Sequence, residues 1–349
     1  MSDLIDHLST TRASQKGRFD GQSLAGLDLS ACHFDGCSFK AADLSRATLA
    51  KAVFIGCDFT LANLSDADLS QAVLQSCVFK DTAVKGTQLT SAICAASTLE
   101  NIDFGGADLA EVSFDKCTLN GVSFKQANLA KAALVDTQLQ QCDFAGANLS
   151  RATMAGLDLR ITQLNGCQLD QTYFEGSNVS GQRFENCGLN GTIFYKAIMQ
   201  GVNLSQRQLE TTFFSQADLT GAQFQGATLK QVSFENAVLD KADFTGVTVQ
   251  SCLFPGVTAK QAVFEGASIV QAVFLGADLS GSDWRMAHLA TCDMSQAIVD
   301  ACDFREAKLD TVNLHDASQK NTQWENASLV HVQGTDPQRL AAEQWQPPS

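Results

Sequence analysis

The chain has 349 residues and carries 38 acidic against 24 basic side chains, a formal net charge of −14 at pH 7. That balance argues against contact with phosphate backbones and leaves cationic surfaces as natural partners. No run of about eighteen apolar residues occurs, so the pattern excludes a membrane-spanning helix.

In chain order, the first expected element is an N-terminal cap over 1–16, where Ser2 followed by Asp3 and Leu4 to Leu8 can open a short amphipathic helix. A repeat region over 17–332 follows. Its large apolar residues Phe19, Leu24, Leu29, Phe34, Phe39 and Leu44 begin a five-residue series that reaches Leu329 without insertion or deletion. Only Gln319 among these 63 centres is polar, and Cys94 and Ala259 are the small ones. Two residues before each centre lies a column of Ala, Cys, Thr, Val and Ser. Twenty-one of the 25 glycines fall two residues after a centre, where a corner needs conformational freedom. The last element, 333–349, is a short cap helix and tail, with Asp336 as N-cap, Pro337 in the first turn, and Leu340 and Trp345 expected to pack down on the final coil.

A period of five fits neither a helix nor a long strand, but it does fit a short extended side followed by a turn. Four such sides close a square coil whose backbone pairs with the coils above and below, which predicts an all-β solenoid of about 16 coils. At ~4.8 Å per coil the stack would be about 75 Å long. Reading the centres by twenties supports four sides. Leu29, Leu49 and Leu69 start a purely aliphatic column, whereas Phe19, Phe39, Phe59 and Phe79 give way to Leu99 and Leu119 as Leu64 and Val84 give way to Phe104, Phe124 and Phe144. A shaft of fixed width accepts about two rings per coil, so one side shrinks where another grows.

The units ANLSD (62–66), ADLSQ (67–71), CDFAG (142–146) and ADLTG (217–221) resemble the pentapeptide-repeat family, over roughly nine tenths of the chain. The resemblance implies a right-handed quadrilateral parallel β-helix. It implies no single function, because the fold serves several roles. Members related to quinolone resistance bind DNA gyrase as DNA-like dimers, sometimes with loops that project from the rod, and this register leaves no such loop. Other members accompany bacterial secretion systems as effectors or adaptors.

Enzymatic chemistry finds little purchase, since a filled shaft has no pocket for convergent polar groups. His7, His33, His288, His315 and His331 are scattered without metal-ligand spacing. Eleven of the 12 cysteines occupy the small column, as apolar fillers suited to a reducing cytosol. Cys37, Cys57 and Cys77 recur at twenty-residue spacing, but no histidine or basic group completes a ligand set there. Asp283 and Asp303, also twenty apart, would stand about 5 Å from each other, a separation some glycosidases use. Arg285 and Arg305 repeat beside them, so an exposed ladder of alternating charge is the reading. Gln182 and Arg207 break the small column. Either Arg207 swings outward or is satisfied locally at a slight bulge, or the pair marks a deliberate irregularity near a binding surface. No catalytic residue, cofactor or metal is expected.

Specificity must therefore lie on the surface. Just before the centres of the Leu29 side stand Asp28, Thr48, Asp68 and Gln88, whereas on the Phe34 side stand Val53, Val73, Ile93, Tyr173, Ile193, Phe213, Leu253 and Val273. Contiguous exposed apolar area marks a partner contact, and Tyr and Phe are favoured there. The expected function is a non-catalytic scaffold or adaptor that holds another protein, or a second copy of itself, through Tyr173, Ile193, Tyr195, Phe213, Leu253, Val273 and Leu275. The alternative is an acidic DNA mimic that binds gyrase or another topoisomerase through a surface including Asp243, Asp283, Asp303 and Glu306. B-form DNA carries about one charge per 1.7 Å, and this stack would supply roughly a third of that density.

Overall fold

The computed structural model describes residues 12–345. Its β-strands are all parallel, and among the described residues every strand pair and single-residue bridge joins positions twenty apart, such as Phe34 with Phe54 and Asp283 with Asp303. A closed turn of four five-residue sides is thereby established, and the chain is a parallel β-solenoid of about 16 turns.

It divides into two compact units. The first comprises the residues up to Ser177 together with Phe184–Leu189, the second Asn178–Arg183 together with Asn190 onward. Three-residue strands form on selected sides and single bridges on the rest. The first unit has an eight-stranded sheet from Ala13–Gln15 to Thr153–Ala155 and a four-stranded sheet from Val78–Lys80 to Gln138–Gln140. In the second unit, seven strands from Gln208–Glu210 to Ser328–Val330 lie on the side of the aliphatic column.

The inward alternation builds each core. In the first unit Phe19, Phe39, Phe59 and Phe79 stack with centroids 4.8–5.0 Å apart, and Phe104, Phe124 and Phe144 form a later stack on the neighbouring side. The second unit carries two adjoining stacks, Phe194 to Phe274 and Phe224 through Trp284 to Trp324, whose rings meet edge to face. Where both stacks run, as from Phe224 to Phe274, two rings per coil fill the shaft, and in several other coils one ring and three smaller centres fill it.

Corners demand a left-handed backbone. From Lys16 to His331 the residue two after each centre has positive φ, glycine or not, and among the described residues Ile161 is the one corner outside that set. Ile161 stands exposed, and its β-branching alone does not account for the difference, since Thr211, Thr291 and Thr311 take the left-handed conformation at the same position. Glycine spacing marks these corners correctly but understates them, because Lys, Gln, Asn, Asp, Ala, Ser and even Leu61 adopt the same φ at others.

The ends depart from expectation in one respect. The N-terminal cap falls largely outside the described residues. At the C-terminus, helix Pro337–Glu343 forms with Asp336 Oδ1 accepting from the Gln338 and Arg339 amides, as expected. It is anchored by His315, whose Nδ1 accepts from the Asp336 amide (3.1 Å), leaving Nε2–H to donate to Glu343 Oε2 (3.2 Å). The expected packing of Leu340 and Trp345 on the last coil is not observed. The helix buries no residue, Trp345 is 68 % exposed, and the final centre Leu329 is 51 % exposed. With seven residues tethered at its flank through His315, the helix leaves that apolar edge open.

Candidate partner-binding surface

On the side of centres Phe194, Phe214, Phe234, Phe254 and Phe274, the stacked rings point inward, and strict alternation turns the residue before each ring outward. The outward column runs Ile193, Phe213, Ser233, Leu253, Val273, each bridged to the next. Backbone bonds fix it: Phe213 N–H donates to the Thr192 carbonyl (2.9 Å) and Leu253 N–H to that of Val232 (2.9 Å). Phe213 is 42 % and Leu253 46 % exposed, while Ser233 lies nearly buried between them. One position past the ring, Tyr195 and Leu275 widen the stripe, and Leu275 is 41 % exposed. Lys196 Nζ sits 4.9 Å from the Tyr195 ring centroid, a cation–π contact at the edge of the stripe. At ~4.8 Å per coil, Ile193 to Val273 span about 19 Å.

Tyr173 belongs to the first unit, where it bridges Thr153 and its hydroxyl donates to Glu175 Oε2 (2.8 Å). Ile193, Tyr195, Phe213, Leu253, Val273 and Leu275 belong to the second. Sequence reading also missed the exposed apolar corners Leu61 and Met286, legible as large apolar residues two positions after a centre.

Among the acidic candidates, Asp283 and Asp303 are consumed by the charge ladder. Arg285 Nη2 lies 2.6 Å from Asp283 Oδ2 and 3.1 Å from Glu265 Oε2, and Arg305 Nη2 lies 2.6 Å from Asp303 Oδ2. The Arg305 guanidinium holds the Asp303 carboxyl below the usual carboxylate range. An acid and nucleophile pair needs one carboxyl kept protonated, which is the reverse of this environment. Asp243 accepts from Thr245 Oγ1 (2.6 Å) and Gln225 Nε2 (2.7 Å), and Glu306 is an exposed corner residue.

Arg207 is half-buried, and its Nη2 reaches the Arg183 carbonyl at 3.5 Å, so local satisfaction accounts for it. Gln182 is likewise half-buried. The stacked thiols donate to carbonyls of the preceding coil, Cys57 Sγ to Phe34 O (3.5 Å) and Cys77 Sγ to Phe54 O (3.5 Å). Burial pushes the Cys117 and Cys252 thiols up to about 11, so these are protonated fillers rather than nucleophiles. Among the described residues no group of three His, Cys, Asp or Glu could hold a metal ion.

A filled, repeat-built stack of parallel coils defines the structural class of parallel β-solenoids. Within that class, the family model for a pentapeptide repeat region matches residues 27–104, 95–174 and 177–264, and that for pentapeptide repeats matches 260–296. The chain belongs to the pentapeptide-repeat family. No curated protein matches it. Among solved structures it is similar to a trypsin-treated variant of QnrB1, a plasmid-mediated fluoroquinolone resistance protein, at 16 % identity over 60 % of this chain and 93 % of that one, with a TM-score of 0.29. It is similar also to HetL from the cyanobacterium Nostoc sp. strain PCC 7120, involved in regulating heterocyst differentiation, at 20 % identity over 94 % of this chain and 95 % of that one, with a TM-score of 0.17. At these superposition scores neither likeness bears on function.

Proposed function

We propose that this chain is a non-catalytic binding scaffold whose second unit holds a protein, another chain or a second copy of itself, on the stripe Ile193, Tyr195, Phe213, Leu253, Val273 and Leu275. The observation that carries this reading is the pair Phe213 and Leu253, each more than 40 % exposed on a bridged column whose inward neighbours are fully buried rings. The core has no use for outward bulk there, as the nearly buried Ser233 between them illustrates. A hydrogen-bonded scaffold presenting an aromatic and aliphatic stripe suits a protein interface.

The rival surface is weaker, since Asp283 and Asp303 already pair with Arg285 and Arg305 and offer a partner little free negative charge. Replacing Phe213, Leu253 and Val273 together by serine tests the proposal. Loss of the proteins retained in a pull-down, or a fall in oligomeric mass by sedimentation, supports it. Unchanged retention and mass, with supercoiling by gyrase altered at stoichiometric protein, would transfer the function to the acidic surface.

A further inference from the structure

Within the first unit, successive coils are laced by a repeating set of backbone bonds. On one side these are Leu64 N–H to Ala83 O (2.7 Å), Asp66 N–H to Lys85 O (2.8 Å) and Ala83 N–H to Ala62 O (2.9 Å). One coil later the set is missing. Among the described residues no backbone bond joins Val84 N–H to Asp103 O, Gly86 N–H to Gly105 O, or Asp103 N–H to Thr82 O, and on the adjoining side Leu89 N–H reaches Asp108 O only at 3.4 Å. The ladder resumes at once beyond the gap, with Phe104 N–H to Ser123 O at 2.8 Å. A cleft of about 580 Å³ occupies the break, between the lip 81–86 and a lip of Asn101, Asp103 and Gly105.

Two of the other three sides of the same coils remain closed, and the third, at Leu89, is only loosely joined. Val78–Lys80 pairs with Thr98–Glu100, and Ile93–Ala95 pairs with both Val73–Gln75 and Ser113–Asp115. The gap therefore opens on one side and faces an unbroken sheet on the opposite side.

Its cause lies in the shaft. Phe79 ends one aromatic stack and Phe104 begins the next on the neighbouring side, with no ring contact between the two among the described residues. In the coil between them Val84 and Cys94 face each other across the shaft, where the preceding coils place Leu64 opposite Leu74 and Leu44 opposite Phe54. Both substitutions remove volume at the same level, leaving a small dry void of about 20 Å³ that Val84, Cys94 and Phe104 help to line. Neither a filled core nor a lacing of backbone bonds holds the coils together on this side.

We propose that this seam is a hinge. The stacks on either side of it part along the Val84–Phe104 side, turning about the intact sheet at Ile93–Ala95, so that the shaft at Val84, Cys94 and Phe104 opens transiently to water while the coils above and below stay shut. Local opening of this kind belongs to the element with the fewest packing contacts and backbone bonds. It gives a repeat stack a place to bend without unfolding.

Native-state alkylation with iodoacetamide, resolved residue by residue after quenching, tests the hinge. Cys94 is expected to react at least tenfold faster than Cys57 and Cys117, equally buried neighbours on either side of the seam. Val84→Leu restores the residue this column carries at Leu24, Leu44 and Leu64, and is expected to slow Cys94 at least tenfold while leaving Cys57 and Cys117 unchanged. Equal rates at the three thiols, or a Cys94 rate indifferent to Val84→Leu, overturn the proposal. Should that variant fold poorly, amide exchange of the wild type decides. The amides of Asp81 and Leu89, flanking the gap, must exchange together and at least tenfold faster than those of Leu69 and Leu109, and parity sinks the hinge.

Discussion

Thr82 Oγ1 donates to the carbonyl oxygen of Phe59, 23 residues earlier, at 2.8 Å. The same offset recurs at Thr87 to Leu64 (2.7 Å), Ser97 to Leu74 (2.9 Å), Thr172 to Leu149 (2.8 Å) and Cys57 to Phe34 (3.5 Å). Each acceptor is a centre residue one coil back. Several of these carbonyls already accept a backbone amide three residues on, as Leu149 O does from Ala152 N–H at 2.9 Å. The side-chain bond uses the second lone pair, so the small column can carry hydroxyls and thiols in a dry shaft without leaving them unsatisfied.

The small column should thus forgive loss of polarity and resist added bulk. Thr172→Val keeps the shape, removes one donor and leaves the Leu149 carbonyl paired, so it should cost about 0.5–1.5 kcal/mol. Ala132→Leu forces a large side chain between the fully buried Leu129 and Leu134 and should cost at least about 1–3 kcal/mol. Urea midpoints of the two variants, at unchanged slope, check the order; a Thr172 variant more damaging than the Ala132 variant would refute it.

At the corners the expectation inverts the usual view of glycine as destabilising. Leu61 has φ 62° and is exposed, so its left-handed backbone costs about 1–2 kcal/mol with no burial in return. Leu61→Gly should raise stability by about 0.5–1 kcal/mol after the extra unfolded-state entropy of glycine is subtracted. Gly181 has φ 72°, and a Cβ at this position would meet nothing within 4 Å. Its conversion to valine should therefore cost about 1–2 kcal/mol through backbone strain alone. Thermal midpoints moving in opposite directions are the expected result.

The period, the compartment of each residue class and the four-sided turn were all legible in the sequence, because the shaft admits one kind of side chain at each position. Three features were not. Which sides make true strands depends on corner geometry, and Lys or Gln at a corner reads as ordinary surface. The boundary of the two compact units, at Ser177 and around Phe184–Leu189, leaves no mark in the five-residue count. Trp345 invites a packing assignment by its size, whereas the fixed point of the C-terminal helix is His315, a histidine that sequence reading set aside as scattered. The seam was half legible: Val84 and Cys94 are conspicuous in their columns, but only coordinates show that the backbone ladder lapses with them.

Stability should fall at both extremes of pH, for opposite reasons. Asp43 is held below its ordinary 3.8 by the Ser45 hydroxyl and amide, Asp20 chiefly by the Ser38 hydroxyl, and Asp303 chiefly by Arg305. A carboxyl depressed in the folded state stabilises above its unfolded pKa, and that contribution disappears as pH drops through the folded value. Stability should therefore hold above about pH 5 and decline below about pH 4. Cys117 and Cys252 move the other way, raised by burial from 9.0 to about 11. Their contribution is complete below pH 9 and is lost as pH climbs toward 11. Thermal midpoints from about pH 2.5 to 11 test both limbs; Asp43→Asn should flatten the acid one and Cys252→Ala the alkaline one.

Trp284 replaces the phenylalanine of its column and brings a donor into the dry shaft. Its ring stacks 4.0 Å from Phe264 and 5.5 Å from Phe304, and Nε1–H donates to Ser282 Oγ at 2.6 Å. Ser282 in turn donates to the Leu279 carbonyl (2.6 Å), so one hydroxyl serves as acceptor and donor at once. Ser282→Ala leaves the indole N–H with no partner in a site water does not reach, at a cost of about 1–3 kcal/mol. Trp284→Phe removes the donor together with some ring volume and should cost about 1–2 kcal/mol. In the double variant the indole no longer needs the hydroxyl, and the Leu279 carbonyl keeps the Ser282 amide and the Cys302 thiol, so its stability should lie close to that of Trp284→Phe alone. The coupling energy of the cycle then equals most of the Ser282→Ala loss. A cycle in which the two losses simply add would mean that the indole finds another acceptor, and that the Trp–Ser pairing is not what admits tryptophan to the shaft.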